Sequence, residues 1–318
     1  MSLNHALMSL VAFAAVLPLA ASAQPAVGEK APAFKNGRFS KVKARIYRKT
    51  RYYLASGHTN TMLFTSPIAR SVNRRLVLLA PPGQPSPSLS GIHVVSGEDH
   101  PLLYSLQRLR GRICVRDGVV LPSELTADGR HVQEADYSSW HILCADDQGS
   151  VHGCVRYQLH DRNVKFRDLG VAQSPLGKSE RWQPVLQAAV DAELAAAHRR
   201  KLVYVEVGAW ILSESLRQSA EAVRMVMAVY GLGRAMGGAL GIATATTRHN
   251  SALILHRLGG QPLDLPSYYD PRYRSVMRVL RFDSSSPNAK YADAIEVFQS
   301  PSTAPLPLVA ERAAAAVA

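Results

Sequence analysis

The segment from Lys201 to Gly260, KLVYVEVGAWILSESLRQSAEAVRMVMAVYGLGRAMGGALGIATATTRHNSALILHRLGG, constrains the fold more than any other part of the chain. Val203, Tyr204, Val205 and Val207 make a near-continuous apolar run between Leu202 and Trp210, the pattern of a strand buried on both faces. Ser215 and Gln218 are three residues apart, as in a capping box, where a hydroxyl and a carboxamide satisfy free donors at a helix start. The spacing predicts a helix from there to about Gly237. Arg217, Glu221 and Arg224 share one face of it, and Met225 to Leu232 are apolar nearly all round, hence buried. Gly237 and Gly238 stop this helix. Leu240 to Thr246 reads as a second strand, Asn250 to Arg257 as a second helix, and Gly259 with Gly260 as its end. Strand, helix and strand at this spacing imply parallel neighbours joined by a right-handed crossover. A helix N-terminus directly after the first strand presents free N–H groups and a positive dipole end, which suits a phosphate. The same pattern also describes any α/β crossover.

Three pieces of this segment resemble the core of the GNAT acyltransferase superfamily, from its fourth strand to its last helix: Glu206 within VEVGAW, Arg217 to Ala222 at the helix start, and His256 to Gly260. Within that superfamily the segment is similar to the branch of acyl-homoserine-lactone synthases and long-chain N-acyl amino acid synthases. The resemblance implies an α/β fold whose central sheet is mixed, mostly antiparallel, splayed at its fourth strand and flanked by helices. It places a phosphate loop at Arg217, Gln218, Ser219 and Ala220, with Ala220 where the family has its first glycine. A backbone N–H at Val207, Gly208 or Ala209 becomes the donor to a thioester carbonyl, a contribution of about 3 kcal/mol. Gly208 lets backbone approach closely there. Glu206 is the expected base, its pKa raised by burial in an apolar strand. A strand-end carboxylate paired with a lysine is the plainer alternative. Two departures from the family stand out. Leu255 occupies the position of a tyrosine that many acetyl-coenzyme A enzymes use as thiolate acid, and Ala209 stands where lactone synthases carry an arginine. The first favours the acyl-carrier-protein branch, and the second points away from S-adenosylmethionine as acceptor.

Residues 129–161 carry the next signal. Trp140 to Ala145 and Val151 to Leu159 read as strands joined by Asp-Asp-Gln-Gly, a hairpin turn. Glu134, Asp136 and Tyr137 resemble the acidic stretch that lactone synthases place beside the amine substrate, with Ser138 replacing a further aspartate. Arg156 matches an arginine on the following strand. An Asp136–Arg156 pair makes physical sense because an arginine fork holds a carboxylate bidentately, although a surface ion pair on an ordinary hairpin fits the same residues. Upstream, Leu102, Leu103, Leu106, Leu109 and Ile113 predict a helix over Pro101 to Val115, and Arg110 in it matches the first helix of the lactone-synthase branch.

Elsewhere, Ile92 to Val95 reads as a short strand and Asn163 to Lys178 as a loop. Ser179 to Arg200 reads as a helix capped by Ser179, with His198 to Lys201 at its negative end. Trp182 in it fits a core position or an acyl tunnel. Ser275 to Phe282 alternates as an antiparallel strand. Three cysteines without a C-x-x-C exclude a disulfide scaffold and a cysteine zinc site. Cys144 and Cys154 flank the hairpin and either face each other or fill the core separately.

The net charge of +13 invites nucleic acid as a partner, but its distribution argues otherwise. Residues 28–75 hold twelve Lys/Arg and one acid, 12 − 1 = +11, which leaves 13 − 11 = +2 for the remainder. Three regions are therefore expected: a signal-like and basic, Pro-rich disordered arm over 1–90, a GNAT-like domain over 91–285, and a tail over 286–318. Ala6 to Ala20 with Ala21-Ser22-Ala23 has the form of a secretory signal, but its first residues lack Lys and Arg. An exported acyltransferase would leave its thioester donors behind in the cytoplasm, so a cytoplasmic protein with a mis-assigned start, Met62 being one choice, competes with the signal reading. The apolar run is short for a membrane span.

The expected function is an enzyme, an acyltransferase acting on groups other than aminoacyl. It moves an acyl group from acyl-carrier protein or coenzyme A to a small amine such as an amino acid. No metal and no permanently bound cofactor are expected, and nucleic acid is not an expected partner of the folded part. The alternatives are a coenzyme A-dependent short-chain N-acetyltransferase, or a non-catalytic module with a nucleic-acid-binding basic arm.

Overall fold

The computed structural model describes residues 74–96, 100–217 and 219–299. Among these residues nine strands form one open sheet, in the order β2-β1-β3-β4-β5-β6-β9-β7, with β8 also on β9. They are β1 (Arg74–Ala80), β2 (Ile92–Ser96), β3 (Trp140–Asp146), β4 (Val151–His160), β5 (Val203–Leu212), β6 (Ala239–Thr246), β7 (Gln261–Pro262), β8 (Tyr268–Asp270) and β9 (Ser275–Asp283). Among the described residues five α-helices accompany them: α1 (Pro101–Arg116), α2 (Gln183–Arg199), α3 (Ala220–Ala235), α4 (Ser251–Leu258) and α5 (Ala292–Glu296). Only β1–β2 and β5–β6 pair in parallel, and the other pairings are antiparallel. This is the mixed, mostly antiparallel sheet that the sequence resemblance implies. Among the described residues no helix is long and apolar enough to cross a membrane.

Two apolar layers cover the sheet, and strand alternation decides which residue enters which. On one face Leu102, Leu103, Leu106 and Leu109 of α1 pack on Val77, Leu79, Leu143 and Cys154. Further along that face Leu186 and Val190 of α2, with Phe166, Leu169 and Val171, pack on Tyr204, Leu240, Ile242 and Val279. The opposite face holds α3, whose Met225 to Leu232 are all buried, as the all-round apolar pattern requires. Ala252 of α4 packs there against Ala245 and Leu280.

Several boundaries differ from the sequence reading. The folded part begins before residue 91: Arg74–Ala80 lies between β2 and β3 with Val77 and Leu78 fully buried. The arm expected over 1–90 therefore overruns a core strand, because two arginines and a following proline run mask five consecutive apolar residues. The signal-like and basic segments up to residue 73 lie outside the described residues. At the other end, Ile295 and Phe298 are buried and close on Gly231 of α3, so the domain continues past 285. The capping box expected at Ser215 does not form. Residues 213–217 make a turn, α3 starts at Ala220, and Ser219 takes the N-cap position, its hydroxyl donating to Leu216 O at 2.9 Å. Likewise α2 starts at Gln183 rather than Ser179, which closes a preceding turn through its carbonyl. Cys144 and Cys154 point to opposite faces, since Cys154 is opposite Leu143, and both thiols are free.

Candidate active site

The central feature is where β5 leaves β6. The two strands pair in parallel from Val203 and Ala239 to Glu206 and Ile242, and then separate. Gly241 marks the tight part: a Cβ there would lie 2.1 Å from Val205 O. Gly208 marks the open part, with nothing within 4 Å of an added Cβ. Beyond Glu206, β5 stays paired only to β4, so its other edge has no strand partner among the described residues. The expectation of a strand buried on both faces thus holds for Tyr204 and Val205 and fails from Glu206 onward, where burial is partial. The reason is the loss of β6 as a neighbour, which no local pattern encodes.

A β-bulge reinforces the opening. Cys154 is opposite Ile211 and Arg156 is opposite Gly208, so one residue of β4 faces Ala209 and Trp210 together. Ala209 takes a left-handed conformation, φ +48°, unusual for a residue with a side chain. The Cys154 thiol donates to Ala209 O at 3.1 Å. Burial pushes that thiol up to about 12, so it stays protonated and serves as a donor. The backbone of Val207, Gly208 and Ala209, the expected carbonyl-binding segment, therefore lies on the opened edge with a bulge in it.

Glu206 sits at the apex of the splay with 16% of its side chain exposed. Its Oε2 accepts from the Gly170 amide at 2.8 Å and from His160 Nε2 at 3.1 Å, and its Oε1 accepts from the Val171 amide at 3.0 Å. Burial pushes the carboxyl up, but His160 and the two amides outweigh it and hold Glu206 below the ordinary carboxylate range. The expected raised pKa is thus reversed. A carboxylate that accepts two backbone N–H groups and an imidazole is stabilised in its charged form, and among the described residues no lysine pairs with it. These donors come from residues 160–171, whose approach to Glu206 the strand sequence does not announce.

Asp136 and Arg156 are brought together, but with a third partner. Arg110 from α1 donates to both oxygens of Asp136, through Nη1 to Oδ1 at 2.7 Å and through Nη2 to Oδ2. Arg110 and Asp136 are each only 2% exposed. Gln107 Nε2 and the Gln133 amide also donate to Asp136 Oδ2, at 3.2 and 3.1 Å. Arg156 is 3.7 Å from Asp136 Oδ1 and donates to Gln133 Oε1 at 2.7 Å. Burial raises the Asp136 carboxyl, yet Arg110 and the Gln133 amide lower it further, so it stays charged. Asp136 is sealed from solvent. Its nearest further cation is Arg156, half-buried and opposite Gly208 on β5. His141 completes the cluster by donating from Nε2 to Asp136 O at 2.9 Å.

The expected phosphate loop lies at the open end of the splay. Arg217 donates from Nε to Leu212 O and from Nη2 to Asp117 Oδ2, both at 3.4 Å. Ser219 and Ala220 occupy the N-cap and first position of α3, and Gln218 lies outside the described residues. At the end of α4, His256 Nδ1 donates to Gly260 O at 2.8 Å, so its imidazole closes the helix terminus.

No protein-family model matches the chain, and no curated protein matches it. Solved structures resemble it at low identity. One is a CoA-dependent acyl-homoserine lactone synthase, BjaI, at 14% identity and a TM-score of 0.44 over 76% of this chain and 99% of that one. A second is FeeM, an N-acyl amino acid synthase from uncultured soil microbes, at 12% identity and a TM-score of 0.35 over 55% of this chain and 85% of that one. A third is the Drosophila melanogaster polyamine N-acetyltransferase, at 14% identity and a TM-score of 0.39 over 65% of this chain and 99% of that one.

Proposed function

We propose that this protein is an N-acyltransferase. It moves an acyl group from a phosphopantetheine thioester, carried by acyl-carrier protein or coenzyme A, to the amine of a small acceptor such as an amino acid. The observation that carries this reading is the parting of β5 from β6 after Glu206 and Ile242, with the Ala209 bulge on the freed edge. An extended arm with two amide groups can add to such an edge as a short strand, pairing with the backbone that β6 releases. The thioester carbonyl then meets a fixed N–H of the 207–209 segment, a donor already in place when negative charge develops on the oxygen.

The amine nitrogen attacks the thioester carbon. A C–N bond forms, the carbonyl oxygen takes the electron pair, and its return breaks the C–S bond. The net proton transfer is from nitrogen to the departing sulfur. Proton removal from the ammonium falls to the His160–Glu206 pair, in which the carboxylate holds the imidazole in place. Arg156, fixed by Asp136 and Gln133, offers a cation to a carboxylate on the acceptor. Acyl thioesters are cytoplasmic compounds, so the cytoplasm is the proposed place of action.

The test is mass spectrometry of lipid extracts from cells expressing the wild type, Gly208→Val or Glu206→Gln. New N-acylated amines are expected with the wild type and not with Gly208→Val. Identical extracts from all three strains overturn the proposal.

A further inference from the structure

Helix α1 ends in Arg116, and its C-cap residue is Asp117. A carboxylate there faces the negative end of the helix dipole, so its charge has to be stabilised by neighbouring cations. Arg116 Nε donates to Asp117 Oδ1 at 2.9 Å, and Arg217 Nη2 donates to Oδ2 at 3.4 Å. Burial pushes the Asp117 carboxyl up, but Arg116, Arg217 and Arg248 more than offset it and keep it charged. Arg217 follows β5 and Arg248 follows β6, so the carboxylate faces a cation from each lip of the splay. A second link runs from Arg116 Nη1 to Glu214 Oε1 at 2.8 Å, in the connector between β5 and α3.

We propose that Asp117 is a resident anion at the mouth of the splay, competing with the phosphate of the acyl donor for Arg217 and so setting donor affinity. The inference rests on the acyl-donor reading above. An arginine fork accepts a carboxylate or a phosphate through the same donors. At 3.4 Å the Arg217–Asp117 contact is longer than a charge-assisted hydrogen bond at its optimum, so it is a partner Arg217 can exchange. Arg116 retains Asp117 after the exchange, which leaves α1 attached to the connector through Glu214.

The experiment is calorimetric titration of the full chain with 4′-phosphopantetheine, the part common to both donors, at fixed ionic strength. Asp117→Asn keeps the side-chain shape and the backbone cap, and is expected to bind about three- to tenfold tighter than wild type. Arg217→Met is expected to bind more weakly than wild type. Glu214→Gln removes the same charge nearby without touching Arg217, and is expected to stay within about twofold of wild type. Binding by wild type with no gain in Asp117→Asn overturns this inference alone, as does an equal gain in Glu214→Gln. Absence of binding in both wild type and Asp117→Asn overturns it together with the acyl-donor reading.

Discussion

Glu206 and Ile242 are the last residues at which β5 and β6 remain paired, and the carboxylate of Glu206 accepts hydrogen bonds from the Gly170 and Val171 amides of the segment between β4 and α2. The opening of the sheet and the anchoring of residues 166–173 thus meet at one side chain.

Replacing Glu206 by Gln separates these roles. The amide side chain places a donor where Gly170, Val171 and His160 already donate, so one partly buried contact turns unfavourable. A loss of about 1–3 kcal/mol in urea denaturation is expected, with faster proteolysis within residues 165–173 than elsewhere. Unchanged stability and protection would remove Glu206 as the anchor of the loop.

Gly208 and Ala209 are neighbours with opposite tolerance. Gly208→Val adds a side chain into open space and is expected to leave the melting temperature nearly unchanged while abolishing acyl transfer. Ala209→Val forces a β-branched residue into a left-handed conformation and is expected to cost about 1–2 kcal/mol. Thermal denaturation of the two variants checks the contrast, and equal losses would contradict the bulge.

The Arg110–Asp136 pair is sealed in the core, so removing one member leaves an uncompensated charge. Asp136→Asn is expected to lower stability by about 3–5 kcal/mol. Arg110→Met combined with Asp136→Asn should recover part of that loss, since the orphaned guanidinium is gone. Chemical denaturation of the two variants decides it; a double variant no more stable than Asp136→Asn would contradict the pairing.

His141 gives the fold a pH dependence. Burial lowers its pKa to about 4, against an ordinary value of about 6.5. Between these values the unfolded chain binds the proton and the folded chain does not. Stability is therefore complete above the ordinary histidine range and falls as pH drops towards 4, by about 1.4 kcal/mol per unit for this one proton. His141→Gln is expected to flatten the slope between pH 6.5 and 4.5 in denaturant titrations. An unaltered slope would mean the proton is taken up elsewhere.

Much of the architecture is present in local pattern. The helical spacing of leucines in α1, the Asp-Asp-Gln-Gly turn between β3 and β4, and the strand–helix–strand order of 203–246 all appear at their expected places. Each depends on periodicity or turn chemistry within a few residues. Strand β1 was hidden because its arginines continue the basic composition of the preceding arm, and its membership in the sheet depends on β3, more than sixty residues away.

The sequence by itself determined which residue types stand on β5 and that Glu206 lies inside an apolar strand; it put Arg217 inside the following helix, whereas the structure places it in a turn before α3. Tertiary structure alone decided the ionisation of Glu206, because the donors that stabilise its charge arrive from His160, Gly170 and Val171. It also decided that Asp136 faces Arg110 before Arg156, and that Arg217 faces Asp117. Charge and hydrogen bonding act through space over a few ångströms, whereas sequence patterns report only neighbours along the chain.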